Sequence, residues 1–322
     1  KGIGGVFMSA PSTGGASRAG YGSALLRLSA DPRVVVLEAD LGKSTKSCLF
    51  RAEHPERTVS LGIAEQNMML VAAGMASSGK VPFASTFAIF TERAFEQVRN
   101  GISRPGLAVH ICGSHGGIHT GTDGSSAQSI EDLAIYRTIP GLTVITPCDD
   151  LSAEELTVQL LDHGNASYTR TARNKTPRMY DSETVKSLEI GKGSLLREGG
   201  DIAIVACGVM VSEAMEAAEL LEGEGISARV IDMHTIKPLD SGILDDARVN
   251  CRGIVTAEDH SVIGGLGSAV AEYLATKGGF PLRMVGVNDR FGESGASSEL
   301  MRHMGLTRNE IIAQAREIIN SV

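Results

Sequence analysis

Short β-branched runs alternate with helix-period segments along most of this chain, and that alternation restricts it to an α/β fold with a mostly parallel sheet. Val34-Val35-Val36-Leu37, Leu107-Ala108-Val109-His110-Ile111 and Leu142-Thr143-Val144-Ile145 read as strands. Helical patterns lie at about 16–29, 64–80, 88–101, 128–138 and 151–163. Between Tyr180 and Asp201 the rhythm lapses into polar, glycine-rich sequence. It resumes at Ile202-Ala203-Ile204-Val205-Ala206, Ala228-Arg229-Val230-Ile231, Gly253-Ile254-Val255-Thr256 and Met284-Val285-Gly286-Val287. A boundary is therefore expected at about 185–195, giving a first domain over 8–188 and a smaller α/β domain over 189–322, with residues before Met8 expected to be extraneous.

At 322 residues, 42% hydrophobic and 21% charged, the chain has material for two cores. Its 30 Lys and Arg against 38 Asp and Glu give a net charge of −8. That balance excludes nucleic acid as the main partner and leaves any anion to a local basic site. Cys48, Cys112, Cys148, Cys207 and Cys251 are odd in number, dispersed and free of C-x-x-C spacing, a usage expected of reduced thiols in a cytoplasmic protein. No apolar run reaches the ~18 residues of a membrane span and no charged-then-apolar leader opens the chain, so no membrane partner is expected.

Three motif fragments fail on context. Gly42-Lys43-Ser44-Thr45 matches the end of a phosphate-binding P-loop, but the motif's first glycine would fall at Leu37. Gly223-Glu224-Gly225-Ile226-Ser227-Ala228 fits G-x-G-x-x-A, yet it leaves a helix and enters a strand, the reverse of the dinucleotide-binding order. His115 and His119 sit i, i+4 apart among glycines, where no helix would align them on a metal.

Gly62-Ile63-Ala64-Glu65-Gln66-Asn67 survives. It puts a carboxylate at a helix start, with Phe87 and Phe90 one element later. A carboxyl group and an aromatic shelf are what a protein needs to hold and tautomerise an aminopyrimidine. Each half also has an ordinary reading: an acid in a first helical turn offsets the macrodipole, and two phenylalanines three apart make a buried helical stripe.

The wider context resembles the transketolase family over nearly the whole chain. The segment from about Arg18 to Arg173 is similar to the family's pyrimidine-binding domain, and residues 195–322 are similar to its C-terminal domain. Glu38-Ala39-Asp40-Leu41, the Glu65 run, Thr86-Phe87-Ala88-Ile89-Phe90 and Gly113-Ser114-His115-Gly116-Gly117-Ile118 carry the first likeness. Glu258-Asp259-His260 and Gly264-Gly265-Leu266-Gly267-Ser268 carry the second. The resemblance implies two three-layer αβα domains, a thiamine diphosphate pyrimidine-binding domain followed by a transketolase C-terminal domain.

It also implies roles. Glu65 would be catalytic, hydrogen-bonding the cofactor's pyrimidine and favouring its imino tautomer. Phe90 would stack on that ring with Phe87 beside it, and Asp40 and Leu41 would lie near the cofactor. Arg18, Ser44, His115 and Arg173 match the positions that grip a sugar's terminal phosphate, an anion that Arg forks suit, and Asp123 matches the Asp that contacts a sugar hydroxyl. Two positions depart from the family: Ala127 stands where transketolases usually carry His, and Arg93 where the long single-chain enzymes tend to have Tyr.

The chain has no Gly-Asp-Gly segment and lacks the N-terminal half of a single-chain transketolase. No metal ligand is assigned to it. The resemblance implies a partner, an N-terminal (α) subunit that brings the diphosphate-binding domain and holds Mg²⁺ or Ca²⁺, in an α2β2 heterotetramer. The expected activity is transfer of a two-carbon ketol unit from a phosphorylated or otherwise anionic ketose to an aldose, with a sulfosugar or branched sugar as alternative substrates. The rival readings are the β subunit of a 2-oxo acid dehydrogenase E1 component, which needs no distal-anion site, a non-catalytic scaffold paralogue and, more distantly, an NAD-dependent oxidoreductase.

Overall fold

The computed structural model describes residues 14–321, so the expectation about Met8 lies outside it. The first half of the chain runs α1 (Ser17–Leu28), β1 (Val34–Glu38), α2 (Gly42–Thr45), α3 (Cys48–Glu53), β2 (Thr58–Ser60), α4 (Glu65–Ser77), β3 (Val81–Phe87) and α5 (Ala88–Thr91). It continues through β4 (His110–Ser114), α6 (Asp132–Arg137), β5 (Thr143–Ile145), α7 (Asp150–Gln159) and β6 (Ser167–Thr171). The second half holds β7 (Ser194–Arg197), β8 (Ile202–Ala206), α8 (Met210–Glu222), β9 (Ala228–Asp232), β10 (Thr235–Lys237) and α9 (Ser241–Asn250). It closes with β11 (Ile254–Ser261), α10 (Leu266–Ala275), β12 (Leu282–Val287), α11 (Ser297–His303) and α12 (Arg308–Ser321). None of the described helices is long and apolar enough to cross a membrane.

Two sheets result. A seven-stranded sheet has the order β10-β5-β6-β4-β3-β1-β2, parallel except for its β10 edge. A five-stranded sheet has the order β12-β11-β8-β9-β7, parallel except for β7. β10 follows β9 in the chain yet pairs with β5, Thr235 opposite Ile145. The second domain thus lends an edge strand to the first.

Alternation along the strands produces the layers. Val34, Val36, Phe83, Cys112 and Ile145 point to the face covered by α1 and α7, while Val35, Leu37, Ala84, Ile111 and Val144 point to the face covered by α4 and α6. The second sheet repeats this, with Ile202, Ile204 and Val230 facing α8 and α12, and Ala203, Val205 and Ile254 facing α9 and α10. Both apolar cores run continuously through the two domains.

The structure corrects several local expectations. β3, in the interior of the large sheet, was not foreseen because Pro82, Ala84, Ser85 and Thr86 break any apolar alternation. β6, Ser-Tyr-Thr-Arg-Thr, is wholly buried although polar. The strand expected at 107–111 lies three residues later, because the interior row extends through Gly113 and Ser114. The single helix expected over 88–101 is instead α5, a 3₁₀ turn at Glu92–Ala94 and a π-helical stretch at Gln97–Ser103, a break of the kind found beside functional sites.

Phe83 is fully buried in β3 and its ring centroid lies 5.0 Å from that of His110. Phe83→Ala is expected to cost about 3–5 kcal/mol, from lost transfer energy plus a cavity that a strand flanked on both sides closes poorly. Urea unfolding of the purified chain measures it.

Candidate active site

Parallel pairing sets the site's location, since the carboxyl ends of neighbouring parallel strands open into a shared crevice. Phe87 ends β3, Ser114 ends β4 and Thr171 ends β6, and register puts these three residues in one row. His115 follows Ser114, Arg173 follows Thr171 by two, and Asp40 follows Glu38 at the end of β1 by two.

Glu65 is the first residue of α4 and is 4% exposed. Phe87 and Phe90 form the expected shelf, rings 5.6 Å apart and 7° from parallel. The other neighbour of Phe87 is His115, stacked at 3.9 Å. One feature of the shelf was not foreseen: Arg93 sits 4.8 Å from the Phe90 centroid, with Nη1 3.8 Å from the Glu65 carboxylate. A ring stacking on that face of Phe90 has to displace the guanidinium. At 58% exposure Arg93 is free to leave.

The residues expected to grip an anion gather around His115. Arg18, near the start of α1, reaches across to donate from Nη1 to the Ser44 carbonyl at 2.9 Å. Its Nε is buried without a partner, a donor still open to an acceptor. Arg173 Nε lies 3.4 Å from the Asp123 carboxylate, so those two expected residues meet each other. Ser44 meets the set through its backbone carbonyl. Asp40 is exposed, with φ 58, a left-handed conformation that Asp tolerates. Leu41 caps α2, its carbonyl accepting from the Ser44 and Thr45 amides. Ala127, half-buried, donates its amide to the Gly124 carbonyl at 3.0 Å.

Burial pushes His115 down to about 3, helped by the charges of Arg18, Arg173 and Lys46. His115 is therefore neutral near pH 7, and it offers an anion a hydrogen bond rather than a charge. Lys46 was missed by sequence reasoning, although it directly follows the Ser44-Thr45 pair. Its chain segment is held by Glu38, buried at the end of β1, which pairs with Arg51 and accepts from Ser47 Oγ at 3.3 Å. Gly42 permits this close approach, since a Cβ there would lie 1.7 Å from the Glu38 carboxylate.

Glu92 was also missed. It follows Phe90 by two in the chain but turns toward Ser129, whose Oγ donates to it, and burial raises it to about 8, with Glu131 and Asp132 adding to the rise. It carries a proton at neutral pH. Its signal in the sequence was slight, since an acid beside an Arg reads as surface charge.

Two family models match the chain, the transketolase pyrimidine-binding domain over residues 15–178 and the transketolase C-terminal domain over residues 191–311. The chain belongs to the transketolase family. Among its transketolase relatives, a putative transketolase C-terminal section of Methanocaldococcus jannaschii is 43% identical over 93% of this chain and 95% of its own length. A 6-deoxy-6-sulfo-D-fructose transketolase subunit of a Clostridium species is 43% identical over 89% of each chain. The human transketolase is 38% identical, and this chain spans 49% of its length. A solved split-gene transketolase, described as an inactive β4 tetramer, superposes with TM-score 0.87 at 42% identity, covering 95% of this chain and 99% of that one. The transketolase family is thiamine diphosphate-dependent, and a buried carboxylate facing an aromatic shelf is a donor set that fits the cofactor's aminopyrimidine.

In a histidine NMR titration, the His115 ring signals are expected to stay at their neutral positions from pH 8 to pH 5. Arg18→Gln removes a neighbouring positive charge, so protonation becomes easier and the midpoint of His115 moves upward. A downward or absent shift contradicts the charge geometry.

Proposed function

We propose that this chain is the cofactor-activating, C-terminal subunit of a two-chain transketolase that moves a two-carbon ketol unit from an anionic ketose to an aldose acceptor. The observation that carries this reading is the juxtaposition, at one end of one sheet, of buried Glu65 with its Phe87–Phe90 shelf and the cation set Arg18, Lys46 and Arg173 around neutral His115. Thiamine diphosphate, when bound, would supply the nucleophilic carbon on which the ketol unit is carried between the aldose product released and the aldose acceptor. Glu65, 4% exposed at the start of α4, would hydrogen-bond the pyrimidine nitrogen. Phe90 would stack on the pyrimidine with Phe87 behind it, and Asp40 and Leu41 would border it. Arg18 and Arg173 would anchor the distal anion, and Asp123, released from Arg173, would accept from a sugar hydroxyl. Fixing the far end of the sugar orients its reacting end.

The partner in this reading is an N-terminal α subunit, and the family resemblance implies that the αβ pair is doubled into α2β2. Relatives described as a C-terminal section and as a split-gene transketolase support the existence of such a partner. So does the surface beside Glu65, where Ile63 and Leu70 are 76% and 50% exposed and give a partner apolar area to cover. Among the described residues no three His, Cys, Asp or Glu side chains are grouped to hold a metal. In this reading the Mg²⁺ or Ca²⁺ is held by the α subunit, as the family resemblance implies. Arg and Lys groups bind sulfonate as well as phosphate, and the sulfosugar relative favours a sulfonated ketose as the second reading.

The test is reconstitution. The chain alone should transfer no ketol unit, and adding the α subunit, Mg²⁺ and thiamine diphosphate should restore transfer. Glu65→Gln in the same pair should reduce kcat by about 10³-fold or more while circular dichroism and assembly stay unchanged; near-normal turnover sinks the assignment. Arg18→Gln or Arg173→Gln should raise KM for the anionic ketose by about 10–100-fold and leave a neutral analogue little affected.

A further inference from the structure

The motif Glu258-Asp259-His260 is unused by the chemistry above, and its carboxylates have separate tasks. Successive residues of a strand face opposite sides. Glu258 serves its own domain, accepting from the Leu266 and Gly267 amides at 2.7 and 2.8 Å at the start of α10. Asp259 turns toward the first domain. Its Oδ1 accepts from the Ile118 amide at 2.8 Å and its Oδ2 from the His119 amide at 3.0 Å.

Those amides belong to a 3₁₀ turn that begins three residues after His115. Gly117, at φ 81, lets the carboxylate in, since a Cβ there would lie 2.2 Å from Asp259 Oδ2. Arg170 backs the contact, donating at 2.7 Å to the Asp259 carbonyl and at 2.8 Å to that of Ser129, which also accepts from the Gly117 amide. Further along the loop, Ser297 Oγ donates to the His119 carbonyl and Ser294 Oγ to that of Thr122, at 2.9 and 3.0 Å. His115 itself has φ 63, a conformation that a non-glycine residue keeps only where its surroundings over-determine it.

We infer that Asp259 is a positioning residue for substrate anchoring: the second domain, through this carboxylate, holds the loop from His115 to Asp123 in the shape that brings both residues to Arg18 and Arg173. The C-terminal domain then contributes to substrate affinity without touching substrate. The kinetic consequence rests on the functional reading above, whereas the holding of the loop does not.

The test is D259N, which keeps the shape and one acceptor but points an amide NH₂ at a backbone N–H. In the full chain, hydrogen exchange at Ile118 and His119 should speed by about tenfold or more, with β4 and β11 keeping their protection. In the reconstituted pair, KM for a phosphorylated ketose should rise by about tenfold with kcat within about threefold. Unchanged exchange, or faster exchange spread evenly over β4 and β11, overturns the proposal, as does an unchanged KM beside wild-type turnover. If D259N does not fold, wild-type exchange decides: Ile118 and His119 should be as protected as β11, and solvent-loop rates there overturn the proposal. A wild-type pair without turnover removes the functional reading and leaves the exchange result to judge the loop.

Discussion

Parallel pairing of β1, β3, β4 and β6 is the constraint on which the rest of this molecule depends. The register that sets Glu38 beside Ser85, Phe87 beside Ser114 and Ser114 beside Thr171 brings four chain segments out at one edge, about 4.8 Å apart per strand. Segments separated by tens of residues in sequence become neighbours there. The crevice exists because parallel strands need crossovers, and those crossovers put α1, α4 and α7 on the sheet's faces and leave the strand ends open.

The charges at that edge are provisionally satisfied within the chain. Arg93 leans on Phe90 and Glu65, and Arg173 leans on Asp123. The half-exposed Arg173–Asp123 pair at 3.4 Å is worth about 1 kcal/mol or less, and Arg93, itself exposed, is held by Glu65 only at 3.8 Å. A stacked ring or a bound oxyanion offers more, so these contacts yield cheaply. His115 contributes differently, because burial and three nearby cations keep it neutral and therefore able to accept or donate without adding to the repulsion.

The two domains are bound by more than apolar contact. Arg170, on the polar strand β6, pairs with Asp132 at 3.2 Å, while Tyr168 donates to the same carboxylate at 2.7 Å, all three groups buried. Such a network adds little net stability but is costly to break, because each partner left behind would be an unpaired buried charge. All three residues lie in the first domain, and the tie to the second is Arg170 Nη1, which donates to the Asp259 carbonyl of β11 at 2.7 Å. The loop after β4 is thus shaped by residues more than a hundred positions away.

Much of this was legible in sequence. The fold class, the second domain and the start of α4 at Glu65 followed from local periodicity. β3 and β6 did not, since their Ser, Thr, Pro and Arg residues are buried by neighbours that local pattern does not report. Glu65, Phe87 and Phe90 were singled out from a helix start, aromatic spacing and the family resemblance, and the structure brings the two rings together. Lys46, Glu92 and the reach of Asp259 were not foreseen, because each depends on how distant segments pack; Arg93's place over Phe90 was not either, although it is a local contact three residues apart. The sequence by itself determined which segments would be strands or helices of an α/β protein and which residue types were on hand for chemistry. Tertiary structure alone decided which of them meet, which charges neutralise one another and that His115 carries none, because those outcomes depend on distance and desolvation, and neither is encoded in neighbouring positions along the chain.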